Sequence, residues 1–264
     1  MHPLIRRVEE ASLNAWPAMT QLLYDGWVVR MTHGFTRRAN SVTPLDAGGA
    51  RPLLDKIRWC ENFYARSRQP TLFRLFDDAP GVHADGAATW GQDGLAAALK
   101  ERGYAWEERT RVLLTAIDGA DAIVALPDDG GARVVFTDRD RWLAAYAQIT
   151  GAPEASRPLH ALILKGIAGD CLHALLEEDG EVLACGLGVV EDDLLGLFDL
   201  ATKASARRRG HARRLLGALH GRGHALGARS AWLQVVADND AAEGLYAAFG
   251  YRHIYGYRYW RSPA

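Results

Sequence analysis

The sequence has few cysteines, no excess of charge of either sign and no long apolar run. Its three cysteines, Cys60, Cys171 and Cys185, form no C-x-x-C pair, which is typical of a reducing compartment. Lys and Arg total 31 against 32 Asp and Glu, so the net charge of −1 gives no general attraction to nucleic acid or to anionic membranes. The most apolar run, 182–190, has the length of a strand and is too short to cross a bilayer.

Several motifs are also missing. There is no G-x-x-x-x-G-K-[ST] nucleotide loop and no G-x-G-x-x-G dinucleotide fingerprint. The first residues lead into Glu9 and Glu10 without an apolar segment, so we expect no signal peptide and a cytoplasmic protein. His220 and His224 stand four apart, but no H-E-x-x-H pattern and no third ligand accompany them, so we expect no metal.

The most informative segment is 207–212, Arg-Arg-Arg-Gly-His-Ala, which follows an apolar stretch at 194–201. Apolar residues then recur at helical spacing: Ala212, Leu215, Leu216 and Leu219. A loop between a strand and a helix N-terminus favours anions, because the first helical N–H groups have no internal acceptor and the helix dipole is positive there. Gly210 lets the backbone approach a ligand, and arginines suit phosphate oxygens. The segment therefore predicts a phosphate site.

The pattern R-x-x-G-x-A at Arg207, Gly210 and Ala212 resembles the pyrophosphate loop of the GNAT superfamily of N-acetyltransferases, written [QR]-x-x-G-x-[GA]. A second GNAT pattern, V-x-x-x-N-x-x-A-x-x-[LF]-Y-x-x-x-G-[FY], follows a predicted strand at 230–236. It is matched by Val235, Asn239, Ala242, Leu245, Tyr246, Gly250 and Tyr251. Two ordered motifs at the expected distance are much more specific than either alone.

The resemblance implies an α+β fold, with a mixed, mainly antiparallel sheet flanked by helices. In the second half of the chain we predict strands at 132–137, 171–177, 181–190, 194–202, 230–236 and 252–260, and helices at 139–150, 158–166, 210–227 and 240–249. In the first half we predict strands at 25–31, 40–45, 70–76 and 109–117, and helices at 52–65 and 94–102.

The two halves share an order of helix, strand, helix, Gly-Tyr and strand, with Gly103-Tyr104 matching Gly250-Tyr251. In this alignment Leu99 replaces Tyr246, and the segment 46–51 lacks the R-x-x-G-x-A pattern. We predict a tandem of two copies: a degenerate GNAT-like domain at 1–128 and a catalytic GNAT domain at 129–264, separated within the turn-rich segment 126–131. An unrelated α+β domain in the first half is the alternative.

The resemblance also implies acetyl-CoA as the acyl donor. In GNAT proteins the backbone N–H groups of the loop, here Arg208 to Arg213, face the pyrophosphate of this cofactor. The strand before the loop diverges from its neighbour, and its exposed backbone pairs with the pantetheine arm. Asn239 would form a hydrogen bond with the pantetheine region. The cofactor-binding set so predicted is Leu200, Ala201, Thr202, Arg207, Arg208, Arg209, Gly210, His211, Ala212, Arg213, Asn239 and Tyr246. The alternatives for the arginines are a solvated basic helix face and a nucleic-acid patch, although the cluster is local and the protein is not basic overall. The alternative for Asn239 is a helix N-cap. We expect His211 to line the cofactor.

Two residues are predicted to be catalytic. Tyr246 matches the tyrosine that GNAT enzymes often use as general acid, and a phenol of pKa about 10 stays protonated at neutral pH; a core aromatic is the alternative. Asp199 matches a strand position where some GNAT enzymes carry a glutamate as general base. Because Asp is shorter than Glu, direct contact with the amine stays open. The nearby carboxylates Glu191, Asp192 and Asp193 fit a solvated turn.

We therefore predict an acyltransferase: an acetyl-CoA-dependent N-acetyltransferase of a primary amine on a small molecule or peptide, acting by direct transfer in a ternary complex. One alternative is a non-catalytic acyl-CoA-binding or sensing protein whose N-terminal domain binds a partner. Another is aminoacyl transfer from tRNA, which should lack the CoA loop and add a basic groove. The sequence does not name the amine, and it is compatible with a homodimer.

Overall fold

The computed structural model describes residues 2–46, 49–77, 92–117 and 131–263. The predicted domain boundary between 128 and 129 lies outside these residues and stays a prediction. The helices are α1 (Pro3–Asn14), α2 (Leu53–Ala65), α3 (Asp93–Glu101), α4 (Arg139–Thr150), α5 (Arg157–Lys165), α6 (His211–Ala225) and α7 (Asp240–Ala247). The strands are β1 (Thr20–Tyr24), β2 (Trp27–Met31), β3 (Val42–Pro44), β4 (Leu72–Phe76), β5 (Ala105–Ala116), β6 (Arg133–Phe136), β7 (Asp170–Glu178), β8 (Glu181–Glu191), β9 (Leu194–Thr202), β10 (Ser230–Val236) and β11 (Arg252–Arg261).

The described strands form one sheet in the order β1-β2-β3-β4-β11-β5-β10-β9-β8-β7-β6. Neighbours are antiparallel except for β3 with β4 and β9 with β10, which are parallel. Each half of the chain thus contributes one parallel pair to an otherwise antiparallel sheet. The mixed, mainly antiparallel α+β architecture is as predicted.

The last strand of each half lies between strands of the other half. β5 runs between β10 and β11, with Leu114 opposite Trp232, and β11 runs between β4 and β5, with Tyr259 opposite Arg74. The strand order around this centre, β4-β11-β5-β10, places equivalent strands symmetrically. This arrangement agrees with the predicted tandem of two copies and joins both copies into one sheet.

The helices α3 and α7 end in the same way. Gly103 and Gly250 have φ of +80° and +74°, the left-handed conformation in which glycine commonly terminates a helix. The backbone N–H of Tyr104 donates to the carbonyl of Leu99 at 3.0 Å, and that of Tyr251 donates to the carbonyl of Tyr246 at 3.1 Å. The alignment of Gly103-Tyr104 with Gly250-Tyr251 therefore holds at the level of hydrogen bonds.

Sequence periodicity missed the first helix and the first strand. On the buried face of α1, Glu9 occupies a position where a helical pattern would show an apolar residue. Its carboxylate is fully buried and accepts hydrogen bonds from Arg74, at 2.8 Å for one contact, and from Tyr255. This cluster fixes α1 to the sheet.

The prediction that a strand begins at residue 25 was wrong. Asp25 and Gly26, with φ of +48° and +85°, form the two-residue turn between β1 and β2. Asp-Gly between apolar stretches is a strong hairpin signal, because both turn residues need positive φ. The other predicted elements are present, with ends that differ by a few residues.

Candidate active site

A cleft opens where β9 and β10 diverge. Their parallel pairing runs from Leu194 and Ser230 to Leu197 and Leu233, and no further pair joins the two strands within the described residues. Beyond that point β9 stays paired with β8 on its other side. The edge of β9 that faces β10 is thus open, as the resemblance implied.

The divergence coincides with a bulge in β9. Leu187 pairs with Phe198 and Cys185 pairs with Ala201, so Gly186 faces two residues, Asp199 and Leu200. Asp199 has a φ of +50°, in the left-handed region that non-glycine residues rarely adopt. A bulge bends its strand and redirects side chains, and bulges are common beside active sites.

The cleft has a volume of about 1150 Å³. It is lined by Ile149, Thr150, Leu200, Ala201, Thr202, Ala206, Arg207, Arg208, Gly210, His211, Ala212, Arg213, Leu215, Asn239, Ala242, Leu245 and Tyr246. The structure thus brings together every member of the predicted cofactor-binding set except Arg209. The guanidinium of Arg209 instead donates to Glu178 at 3.1 Å, on the hairpin between β7 and β8. The lining residues of α4 were not predicted.

The loop before α6 is shaped by two positive φ angles, +61° at Arg208 and +82° at Gly210. Gly210 is the N-cap of α6, and no side chain among the described residues caps this helix. Apart from its chain neighbours and the backbone of α6, no atom of the described residues lies within 4 Å of a Cβ placed on Gly210, so the space in front of it is open to a ligand. Arg213 is exposed and lies 5.6 Å from the Phe249 ring, and His211 is buried.

Tyr246 and Asn239 enter the cleft from the β10 side. Tyr246 is half-buried, and burial raises the pKa of its phenol above the usual value of 10.0. Its hydroxyl forms no hydrogen bond with the described residues, so it can donate to a group in the cleft. Asn239 is the N-cap of α7: its Oδ1 accepts the N–H of Ala242 at 3.2 Å. The N-cap alternative is therefore correct, and Asn239 also lines the cleft.

Asp199 lies beside a histidine that sequence analysis did not single out. Its Oδ2 is 3.0 Å from Nε2 of His160 on α5, and both side chains are largely buried. Four rings surround His160, which we call the aromatic enclosure: Trp16, Phe35, Trp142 and Tyr146, with centroids 5.1 to 6.0 Å from the imidazole. The sequence signal that could have identified His160 is its position on the apolar face of the helix predicted at 158–166.

The charge of Asp199 acts on its neighbours. Burial, and after it the Asp199 carboxylate, raises the pKa of Cys185 to about 12, so this thiol stays protonated. The same two causes, in the same order, raise the pKa of Tyr146. The Asp199 carboxylate thus has two protonated, neutral neighbours, the Cys185 thiol and the Tyr146 phenol.

The other candidates have structural partners. Glu191 accepts from Asn14 at 2.8 Å and Asp193 pairs with Arg7, so this acidic cluster contacts α1. His220 is buried, with Nε2 2.8 Å from the Tyr251 hydroxyl. Among the described residues no group of three or more His, Cys, Asp or Glu is placed to hold a metal ion. None of the described helices is long and apolar enough to cross a membrane.

Comparison with known proteins identifies the family. Residues 3–260 match the family described as "Probable histone acetyltransferase Rv0428c C-terminal". The chain belongs to this family. A segment of 69 residues is 36% identical to the probable histone acetyltransferase Rv0428c of Mycobacterium tuberculosis and covers 26% of this chain but only 22% of that protein. The uncharacterized N-acetyltransferase YobR of Bacillus subtilis is 24% identical over 260 residues, 97% of each chain.

Solved structures share the fold. A GCN5-related N-acetyltransferase from Kribbella flavida superimposes with a TM-score of 0.67 at 18% identity, covering 98% of this chain and 95% of that one. A tandem GNAT protein from the clavulanic acid biosynthesis pathway gives a TM-score of 0.60 at 14% identity, covering 81% and 72%. With the family match, these likenesses confirm the GNAT resemblance. The chain is an acyltransferase, an acetyltransferase of the GNAT type.

Proposed function

We propose that the chain transfers an acetyl group from acetyl-CoA to a primary amine of a small molecule or peptide, by direct transfer in a ternary complex. The observation that carries this proposal is the cleft itself, in which the open edge of β9 leads to the glycine loop at the N-terminus of α6. A strand edge offers N–H and C=O groups to the amides of a pantetheine arm, and a helix N-terminus suits a pyrophosphate.

The described residues fit this donor. Leu200, Ala201 and Thr202 line the cleft, in the part of β9 that is no longer paired with β10. Arg207, Arg208 and Arg213 line the same cleft at the loop, and each charge-assisted bond to a phosphate would contribute about 1.5–3 kcal/mol. Arg209, paired with Glu178, is outside this lining.

The residues also supply the two proton transfers. An ammonium must lose a proton before its nitrogen can attack the thioester, and we assign this proton to Asp199 with His160 3.0 Å away. The sulfur leaves as a thiolate and takes the proton of the Tyr246 phenol; the second proton lost by the nitrogen restores that phenol. Tyr246 is suited to this role because its raised pKa keeps it protonated. The free thiols Cys60, Cys171 and Cys185 agree with activity in the cytoplasm.

The test combines binding with turnover. We expect calorimetry to show acetyl-CoA binding to the full chain, and thiol release from acetyl-CoA to rise with at least one class among polyamines, aminoglycosides, amino acids and peptide N-termini. Failure of the folded chain to bind acetyl-CoA would refute the proposal. Binding without thiol release for any amine would instead indicate an acyl-CoA sensor.

A further inference from the structure

We propose that the amine acceptor also carries a carboxylate, as an amino acid does, and that Arg38 binds this carboxylate. The inference rests on the proposed function, since it names the acceptor class of the same site.

Arg38 stacks on two rings, one beside His160 in space and the other beside Asp199 in sequence. Its guanidinium carbon is 5.2 Å from the centroid of the Trp16 ring and 5.5 Å from that of Phe198. These two rings stack on each other at 5.6 Å, Trp16 is 5.5 Å from His160, and Phe198 directly precedes Asp199 in β9. The cation is therefore separated from His160 by the Trp16 ring, and Arg38 and Asp199 both act on the phenol of Tyr146.

The charge of Arg38 has no acidic partner among the described residues. Arg37, its neighbour in sequence, is paired with Glu107 and Glu108 at 3.1 Å each. Arg38 forms no ion pair and no side-chain hydrogen bond within the described part of the chain. It stacks on the two ring faces, and its charge also acts on the phenols of Tyr146 and Tyr259. A guanidinium stacked on aromatic faces keeps its edge N–H groups available, and their planar fork matches a carboxylate.

The loop that carries Arg38 is held in place. The buried guanidinium of Arg30 donates to the carbonyl of Arg38 at 3.1 Å. The side chain of Asn40 accepts the N–H groups of Thr32 and Gly34 at 2.7 and 2.9 Å and donates to the carbonyls of Phe35 and Thr36 at 2.8 and 2.7 Å. Arg38 is thus positioned by buried polar groups, as expected of a binding residue.

One cation and one carboxylate match a zwitterion. An amino acid would place its ammonium at Asp199 and its carboxylate at Arg38, so both of its charges would be paired. A polyamine would bring a second positive charge next to Arg38, where like charges repel. The rings of the aromatic enclosure favour an apolar or aromatic side chain on the substrate. Because Trp16, Phe35 and Arg38 come from the first half of the chain, this half would shape the acceptor site.

The test uses pairs of amines that differ only in the carboxylate: phenylalanine with 2-phenylethylamine, and leucine with 3-methylbutylamine. For the wild type we expect kcat/KM to be at least about tenfold higher for the amino acid of each pair. Arg38→Gln should lower kcat/KM for the amino acids by about 10–100-fold, mainly through KM, and leave the carboxylate-free amines nearly unchanged. Arg38→Lys should restore part of the preference.

Arg37→Gln is the matched control, because it removes a neighbouring charge that is already paired, and we expect it to keep the preference of the wild type. The ratio within each pair is insensitive to partial loss of folded protein. Equal or better turnover of the carboxylate-free amines, or an unchanged ratio in Arg38→Gln, would overturn the inference and leave the proposed function standing. Absence of thiol release with all four amines and all classes in the wider screen would overturn both.

Discussion

Leu99 and Tyr246 occupy equivalent positions near the ends of α3 and α7. The carbonyl of each accepts a backbone N–H five residues later, at 3.0 Å from Tyr104 and 3.1 Å from Tyr251. Leu99 is nevertheless fully buried in the core, whereas Tyr246 lines the cleft. The two copies thus share their backbone at this point, and only the second copy presents a hydroxyl.

This difference predicts binding of one acetyl-CoA per chain. The second copy has Arg207 and Gly210 in the loop before α6, and the first copy lacks both the R-x-x-G-x-A pattern and the tyrosine. Isothermal titration should therefore give a stoichiometry of one. A stoichiometry of two would show that the first copy is a working donor site.

The loop assignment predicts that Gly210→Glu abolishes acetyl-CoA binding, because a carboxylate would occupy the space in front of the loop and repel the pyrophosphate. Gly180→Glu is a close control: Gly180 has the same φ of +82° and the same open space, but lies in the turn between β7 and β8. Both substitutions should cost about 1–2 kcal/mol of backbone strain. If folded Gly210→Glu binds as tightly as Gly180→Glu, the donor site lies elsewhere.

The sequence predicted the second half of the fold well, because its two motifs mark the loop before α6 and the segment from the end of β10 through α7. Other elements there are also regular, such as α4 with its Asp138 N-cap. Other features depend on contacts distant in sequence. His160 and Asp199 are on separate elements, and Arg38, in the first half of the chain, lies over the ring of Phe198 in the second half. Neither local periodicity nor motif spacing predicts contacts between residues so far apart in sequence. For the same reason, they do not predict that β5 and β11 each lie between strands of the other half.

The cluster of Glu9, Arg74 and Tyr255 predicts a large effect on stability. Glu9→Gln removes the charge that compensates the buried Arg74, so we expect a loss of about 3–5 kcal/mol in the free energy of unfolding. Glu10→Gln is the control, because Glu10 pairs with Arg6 at the surface. This substitution should lower the free energy of unfolding by less than about 1 kcal/mol. Urea titration measures both. Similar losses for the two variants would mean that the buried pair does not anchor α1.

The raised pKa of Tyr246 predicts the alkaline behaviour of the chemical step. A general acid works in its protonated form, so its contribution persists below its pKa and is lost as pH rises through it. Because burial raises the pKa above 10.0, single-turnover rates should show no decline attributable to Tyr246 between pH 7 and about 10. A decline with a midpoint below pH 9 that disappears in Tyr246→Phe would contradict the raised pKa.

Removal of the Tyr246 hydroxyl tests its role as the general acid. Tyr246→Phe keeps the ring and its contact with Tyr251, centroids 5.7 Å apart, but removes the proton. Folding and acetyl-CoA affinity should change little, while the chemical step should slow by about 10²–10⁴-fold. The loss should appear in kcat more than in KM, since the proton is needed only as the thiolate forms.

Single-turnover kinetics is the appropriate assay, because slow product release could hide the effect in the steady state. Tyr24→Phe, which changes a ring stacked on Trp59 in the first copy, controls for the loss of a tyrosine hydroxyl elsewhere and should react at the native rate. If Tyr246→Phe also reacts at the native rate, Tyr246 is a packing residue, and the thiolate takes its proton from water.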